Sequence, residues 1–82
     1  MANNGVTVDT RRMRKERLRK GWTVRDVATR SAELGMPVSF SNYSRCERGT
    51  IRPLPRTVLA IARALDLEVD DLLLSENGRG AA

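Results

Sequence analysis

The 82-residue chain contains no histidine, a single cysteine and only three aromatic residues. Without histidine, His-based zinc sites and His-dependent nucleophilic catalysis are excluded. One cysteine, Cys46, cannot form an internal disulfide and fits a reducing compartment. Three aromatics are too few for a surface that stacks the bases of RNA or single strands. No apolar run approaches the roughly 18 residues that span a bilayer. The N-terminus lacks the apolar stretch of a secretory signal. Together these absences predict a cytoplasmic protein. The length allows one small domain and leaves no room for a large active-site cavity beside its core. The expectation is a protein that is not an enzyme and carries no metal or cofactor.

Charge is abundant and unevenly placed. Lys and Arg number 15 against 10 Asp and Glu, a net of +5. Residues 1–56 hold 13 basic and 5 acidic groups, whereas residues 57–82 hold 2 and 5. A localised basic surface attracts a polyanion, either nucleic acid or an anionic membrane. On charge alone, a merely solubilising surface explains the pattern equally well.

The pattern predicts an all-α fold of five short helices at residues 9–74, between a flexible arm at 1–8 and a flexible tail at 75–82. The first helix spans about Thr10 to Lys20, with Asp9 or Thr10 as cap and Gly21 as stop. The second starts at Thr23, with Asp26 three residues on as a weaker capping box. Val24, Val27, Ala28 and Leu34 supply its buried side. Gly35 and Pro37 break the chain. The third helix begins at Ser39 and ends before Gly49, with Tyr43 and Cys46 facing inward. Pro55 opens the fourth, which is apolar at Val58, Leu59, Ile61, Ala62 and Leu65. Leu67 and Val69 lead into the fifth, where Asp70 and Asp71 favour the N-terminal dipole and Leu72, Leu73 and Leu74 close the helix. Three consecutive leucines cannot all face inward from a helix, so one meets solvent or a second subunit.

Two helices joined by a turn, the second exposing small polar side chains and an arginine, meet the specification of a helix that enters the DNA major groove. Ser41, Asn42 and Arg45 offer donors and acceptors to base edges, and Phe40 can touch a thymine methyl. A polar, solvated helix face is the plain alternative.

Several segments in register resemble the Cro/repressor-type helix-turn-helix family, also called the xenobiotic-response-element family. They are Met13-Arg14-x-x-Arg17, Trp22-Thr23-x-x-Asp26-Val27-Ala28, Ser44-Arg45-Cys46-Glu47-Arg48-Gly49, then Pro53, Leu59-x-Ile61-Ala62-x-Ala64-Leu65 and Leu72-Leu73. The long link from Ala28 to Ser39 is similar to that of a subgroup in actinobacterial regulators. The resemblance implies a compact lambda-repressor-like domain that binds double-stranded DNA and regulates transcription as a repressor in a bacterial cytoplasm, associated with the nucleoid. It implies base contacts from Phe40, Ser41, Asn42 and Arg45. Phosphate contacts fall to Arg48, Thr50 and Arg52 around the end of the third helix, with Thr23, Ser39 and Ser44 as further candidates. A carboxylate near the end of a largely buried helix suggests a structural ion pair, and the resemblance points to Arg17 as the partner of Glu47.

Seven basic groups lie between Arg11 and Lys20. They act as a steering field with one or two phosphate contacts, or simply as a solvated face. Cys46 reads as a core thiol rather than a redox sensor, and Trp22 and Tyr43 as core aromatics. A half-site reader of this size gains specificity by pairing, so a homodimer on DNA is expected. The rival is a protein-interaction module, of antitoxin type for example, that uses the same helices to bind an acidic protein partner without reading sequence. A membrane-surface helix at 11–20 lacks the broad apolar face it needs.

Overall fold

The computed structural model describes residues 5–74. Five helices follow in order: α1 (Thr10–Arg19), α2 (Val24–Glu33), α3 (Phe40–Arg48), α4 (Pro55–Ala64) and α5 (Val69–Leu72). No strand occurs among the described residues, and the fold is all-α as expected. α2 packs on α3 and α4, α4 on α5, and α1 on α3 and α5. The core is Met13, Val27, Tyr43, Cys46, Val58, Ile61, Leu65 and Leu72, all essentially fully buried. Burying each large aliphatic side chain contributes about 1.5–3 kcal/mol relative to exposure.

The helix starts follow local chemistry. Asp9 accepts from the Arg12 amide, Thr23 and Asp26 form a reciprocal capping box, and Ser39 accepts from the Asn42 amide. Pro55 occupies the first turn of α4. In each case an amide that the helix cannot pair internally finds an oxygen, or is missing altogether.

The α2–α3 turn is built differently from its sequence reading. Leu34, expected inside, is 41% exposed, and Ser31 is buried in its place. The inward phase of α2 runs through Val27 and Ser31, four residues apart, and the helix ends before Leu34. Ser31 then latches the turn. Its hydroxyl donates to the Ala28 carbonyl at 2.8 Å and accepts from the Val38 amide at 2.9 Å. Past Gly35, at φ +81°, the Met36 amide reaches the Ser31 carbonyl at 3.0 Å. The long link is therefore a folded turn that seats Val38 in the core.

Both chain ends also depart from expectation. Residues 5–8, assigned to a flexible arm, are docked. The Val6 amide donates to the Pro53 carbonyl at 2.8 Å, and the Leu74 amide to the Thr7 carbonyl at 3.2 Å. Val8 is buried and forms an antiparallel bridge with Leu73. The alternation Val6-x-Val8 supplies apolar area on one side of an extended segment, which accounts for the docking. α5 stops at Leu72, and Leu73 is extended rather than helical. Leu72 alone of the three leucines is buried, while Leu73 and Leu74 are partly exposed. Residues 1–4 of the arm and the tail at 75–82 lie outside the described residues.

Candidate nucleic-acid interface

α3 has two unlike faces. Tyr43 and Cys46 are fully buried, whereas Phe40, Ser41, Arg45 and Arg48 are exposed. Asn42 and Ser44 lie half-buried on the flanks. Each face follows from the helical period: Tyr43 and Cys46 are three apart, and Ser41, Arg45 and Arg48 share the opposite side.

The inner face is fixed to α1 by a charged lock. Arg17 Nε donates to Glu47 Oε2 at 2.8 Å, and Arg17 Nη2 donates to Glu47 Oε1 at 2.7 Å. The third donor, Nη1, reaches the Trp22 carbonyl at 3.0 Å. The Tyr43 hydroxyl donates to Glu47 Oε2 at 2.7 Å. The two charged side chains are only 13% and 9% exposed. Burial by itself would raise the Glu47 carboxyl, but the hydrogen bonds from Arg17 and Tyr43, with the fields of Arg17 and Arg14, hold it below the ordinary carboxylate range. Burial and the Glu47 bond push the Tyr43 hydroxyl far up, so it remains a donor. Burial also raises the Cys46 thiol, which suits an inert core residue.

Glu16 is the second carboxylate surrounded by cations, and sequence reading gave it no partner. It is nearly covered, and it accepts from Arg12 at 3.2 Å and Arg19 at 3.1 Å, with Lys20 at 3.8 Å. Burial opposes its ionisation, while Arg19, Arg12 and Lys20 outweigh that and lower it. Three cations of the α1 run are thereby tied down locally. Trp22, expected in the core, is only partly buried against it, with the Lys20 ammonium 5.9 Å from the ring centroid.

The end of α3 is set by Gly49 at φ +78°, a conformation in which a Cβ is strained. The Thr50 amide and hydroxyl both bond the Arg45 carbonyl, at 3.0 and 3.1 Å. Thr50 thus spends its donors within the loop and offers a phosphate only lone pairs unless that hydroxyl turns. Thr23 and Ser39 accept through their hydroxyl oxygens as caps and keep the hydroxyl proton free to donate. Arg48 and Arg52 are exposed. The docked N-terminal segment presses on this loop: a Cβ at Gly5 would overlap the Arg52 Cβ and sit 2.6 Å from the Arg52 carbonyl oxygen.

Sequence reading missed Arg25. It is exposed in the first turn of α2, and its guanidinium lies 4.3 Å from the centroid of the Phe40 ring. Among the described residues no carboxylate holds Arg25, Arg45, Arg48 or Arg52. A groove of about 640 Å³ between α2, α4 and α5 is lined by Arg30, Leu59, Arg63 and Glu68 among others, and no residue of α3 enters it. Among the described residues no group of Cys, Asp and Glu can hold a metal ion, and no helix is long and apolar enough to cross a membrane.

A short polar helix held on two scaffold helices, beside cations that no carboxylate among the described residues holds, defines a DNA-binding domain of the helix-turn-helix class. The family model of the helix-turn-helix domain matches residues 10–74, and the chain belongs to that family. No curated protein and no solved structure matches the chain.

Proposed function

We propose that the protein is a sequence-specific transcriptional regulator, a repressor, that places α3 in the major groove of duplex DNA. The observation that carries this is the division of α3: a buried inner face of Tyr43 and Cys46 beside an outer face of Ser41, Arg45 and Arg48 that is exposed. Arg45 reaches the two acceptors of guanine and Asn42 pairs with adenine. Arg48 and Arg52 neutralise phosphates, assisted by Thr23, Ser39 and Ser44. Two copies bind a two-fold operator in the cytoplasm, because one domain covers a few base pairs only.

Selection of bound duplexes from a random pool tests the whole reading. A two-fold symmetric motif is expected, retained against excess random duplex near physiological salt. Binding without a preferred duplex sinks it in favour of the protein-interaction rival. Arg45→Ala should cost about 1–3 kcal/mol and relax one or two positions. Arg52→Ala should weaken all duplexes alike and flatten the dependence of log affinity on log salt by about 0.9.

A further inference from the structure

We propose that Arg25, stacked on Phe40, is a further base-reading residue, and that the pair recognises a guanine beside a 5-methylpyrimidine. This rests on the reading of α3 as the base-reading helix and adds a second element to it. Arg25 stands in the first turn of α2 and Phe40 is the first residue of α3. The two helix starts therefore meet at the outer surface, 15 residues apart in the chain. Whereas Tyr43 on the same helix is fully buried, Phe40 is 42% exposed. Its partner is not the core but the guanidinium at 4.3 Å.

The stacking has a chemical consequence. A free arginine sweeps a wide volume and meets phosphate as a mobile charge. A guanidinium held over a ring has its reach narrowed, and because Arg25 is exposed its N–H groups stay open to an external acceptor. No carboxylate among the described residues competes for those groups. The paired N–H donors of a guanidinium so placed match the O6 and N7 acceptors of guanine. The Phe40 ring beneath it is itself apolar, and next to guanine the apolar feature of the major groove is the 5-methyl group of thymine or 5-methylcytosine. One ring thus orients the arginine and contacts the neighbouring base.

The test is duplex selection followed by competition titration with wild type, Arg25→Ala, Arg25→Lys and Phe40→Ala. Both side chains are exposed, so the variants keep the fold, which their melting curves check. Arg25→Ala and Arg25→Lys should each relax preference for guanine at one position by about ten-fold or more, leaving other positions unchanged. Replacing the adjacent thymine by uracil should weaken wild type several-fold and leave Phe40→Ala indifferent. With 5-methylcytosine in that place affinity should exceed that for cytosine, and equal affinity for the two would overturn the reading of the methyl group. The inference is overturned if Arg25→Ala weakens all duplexes equally, which makes Arg25 a phosphate contact, or if Arg25→Lys reads like wild type, which shows that the guanidinium over the ring is not what reads the base. A wild type with no preferred duplex overturns the proposed function as well. A wild type with a preferred duplex that Arg25→Ala leaves untouched overturns this inference alone.

Discussion

The inner and outer faces of α3 both carry charge and treat it in opposite ways. On the inner face, Glu47 is bonded by Arg17 and Tyr43, and the third guanidinium donor goes to a backbone carbonyl. On the outer face, Arg45 and Arg48 have no carboxylate among the described residues. Charge inside must be matched by charge and hydrogen bonds, because an unpaired ion in a low-dielectric setting is costly. Charge outside is left unmatched, so it stays available to an external anion. A nine-residue helix can therefore be rigid and receptive together: the lock fixes its position, and the exposed side bears no part of that load.

This contrast can be broken most severely at the lock. Arg17→Ala or Glu47→Ala should destabilise by about 3–5 kcal/mol, since each leaves its partner buried and uncompensated. For a domain of this size that lowers the melting temperature by roughly 12–40 °C. The double variant should cost far less than the sum of the singles. Additive losses in a double-mutant cycle would show that the two residues do not act as a pair.

Acid attacks the same lock. The folded Glu47 carboxyl is held below its unfolded value, so its contribution is present above the ordinary carboxylate range and disappears as pH falls through the depressed folded value. Wild type should lose stability steeply in that window, and Glu47→Gln, already weaker, should show a shallower acid limb. Denaturant midpoints measured against pH decide this. Parallel limbs for the two proteins would remove Glu47 as the source.

Ser31→Ala tests the turn that sets the angle of α3. The substitution leaves the Val38 amide buried without an acceptor, a loss of about 1–3 kcal/mol. Hydrogen exchange at Val38 should speed up more than exchange in α4. Uniform acceleration across both would show a global effect rather than a local latch.

The smallest effects on stability belong to the outer face. Ser41→Ala and Arg48→Ala should shift stability by no more than about 0.5 kcal/mol while altering DNA affinity. A large drop in melting temperature for either would mean that the two faces are not separate.

Much of this fold is legible along the chain because helix ends are local events. Asp9, Thr23 with Asp26, Ser39 and Pro55 announce starts through the geometry of one turn, and the structure uses each in that way. The inward pair Tyr43 and Cys46 is equally local, a matter of spacing. Val6 and Val8 carried a readable alternation, but a two-residue signal at a chain end has no partner until α5 and its following residues come alongside. Ser31 gave the opposite impression. A serine on a helix face reads as solvent-facing, and only the return of the chain at Val38 supplies the donor that makes its burial tolerable.

Sequence alone determined the helical periods, the caps and the concentration of positive charge, since these depend on neighbours within a turn or on simple counting. The tertiary structure decided which charges are neutralised and which remain open. Glu47 meets Arg17 across 30 residues, and Arg25 meets Phe40 across the gap between two helix starts. The reason is physical: a side chain's partner is set by distance in space and by burial, and both exist only after the helices have packed.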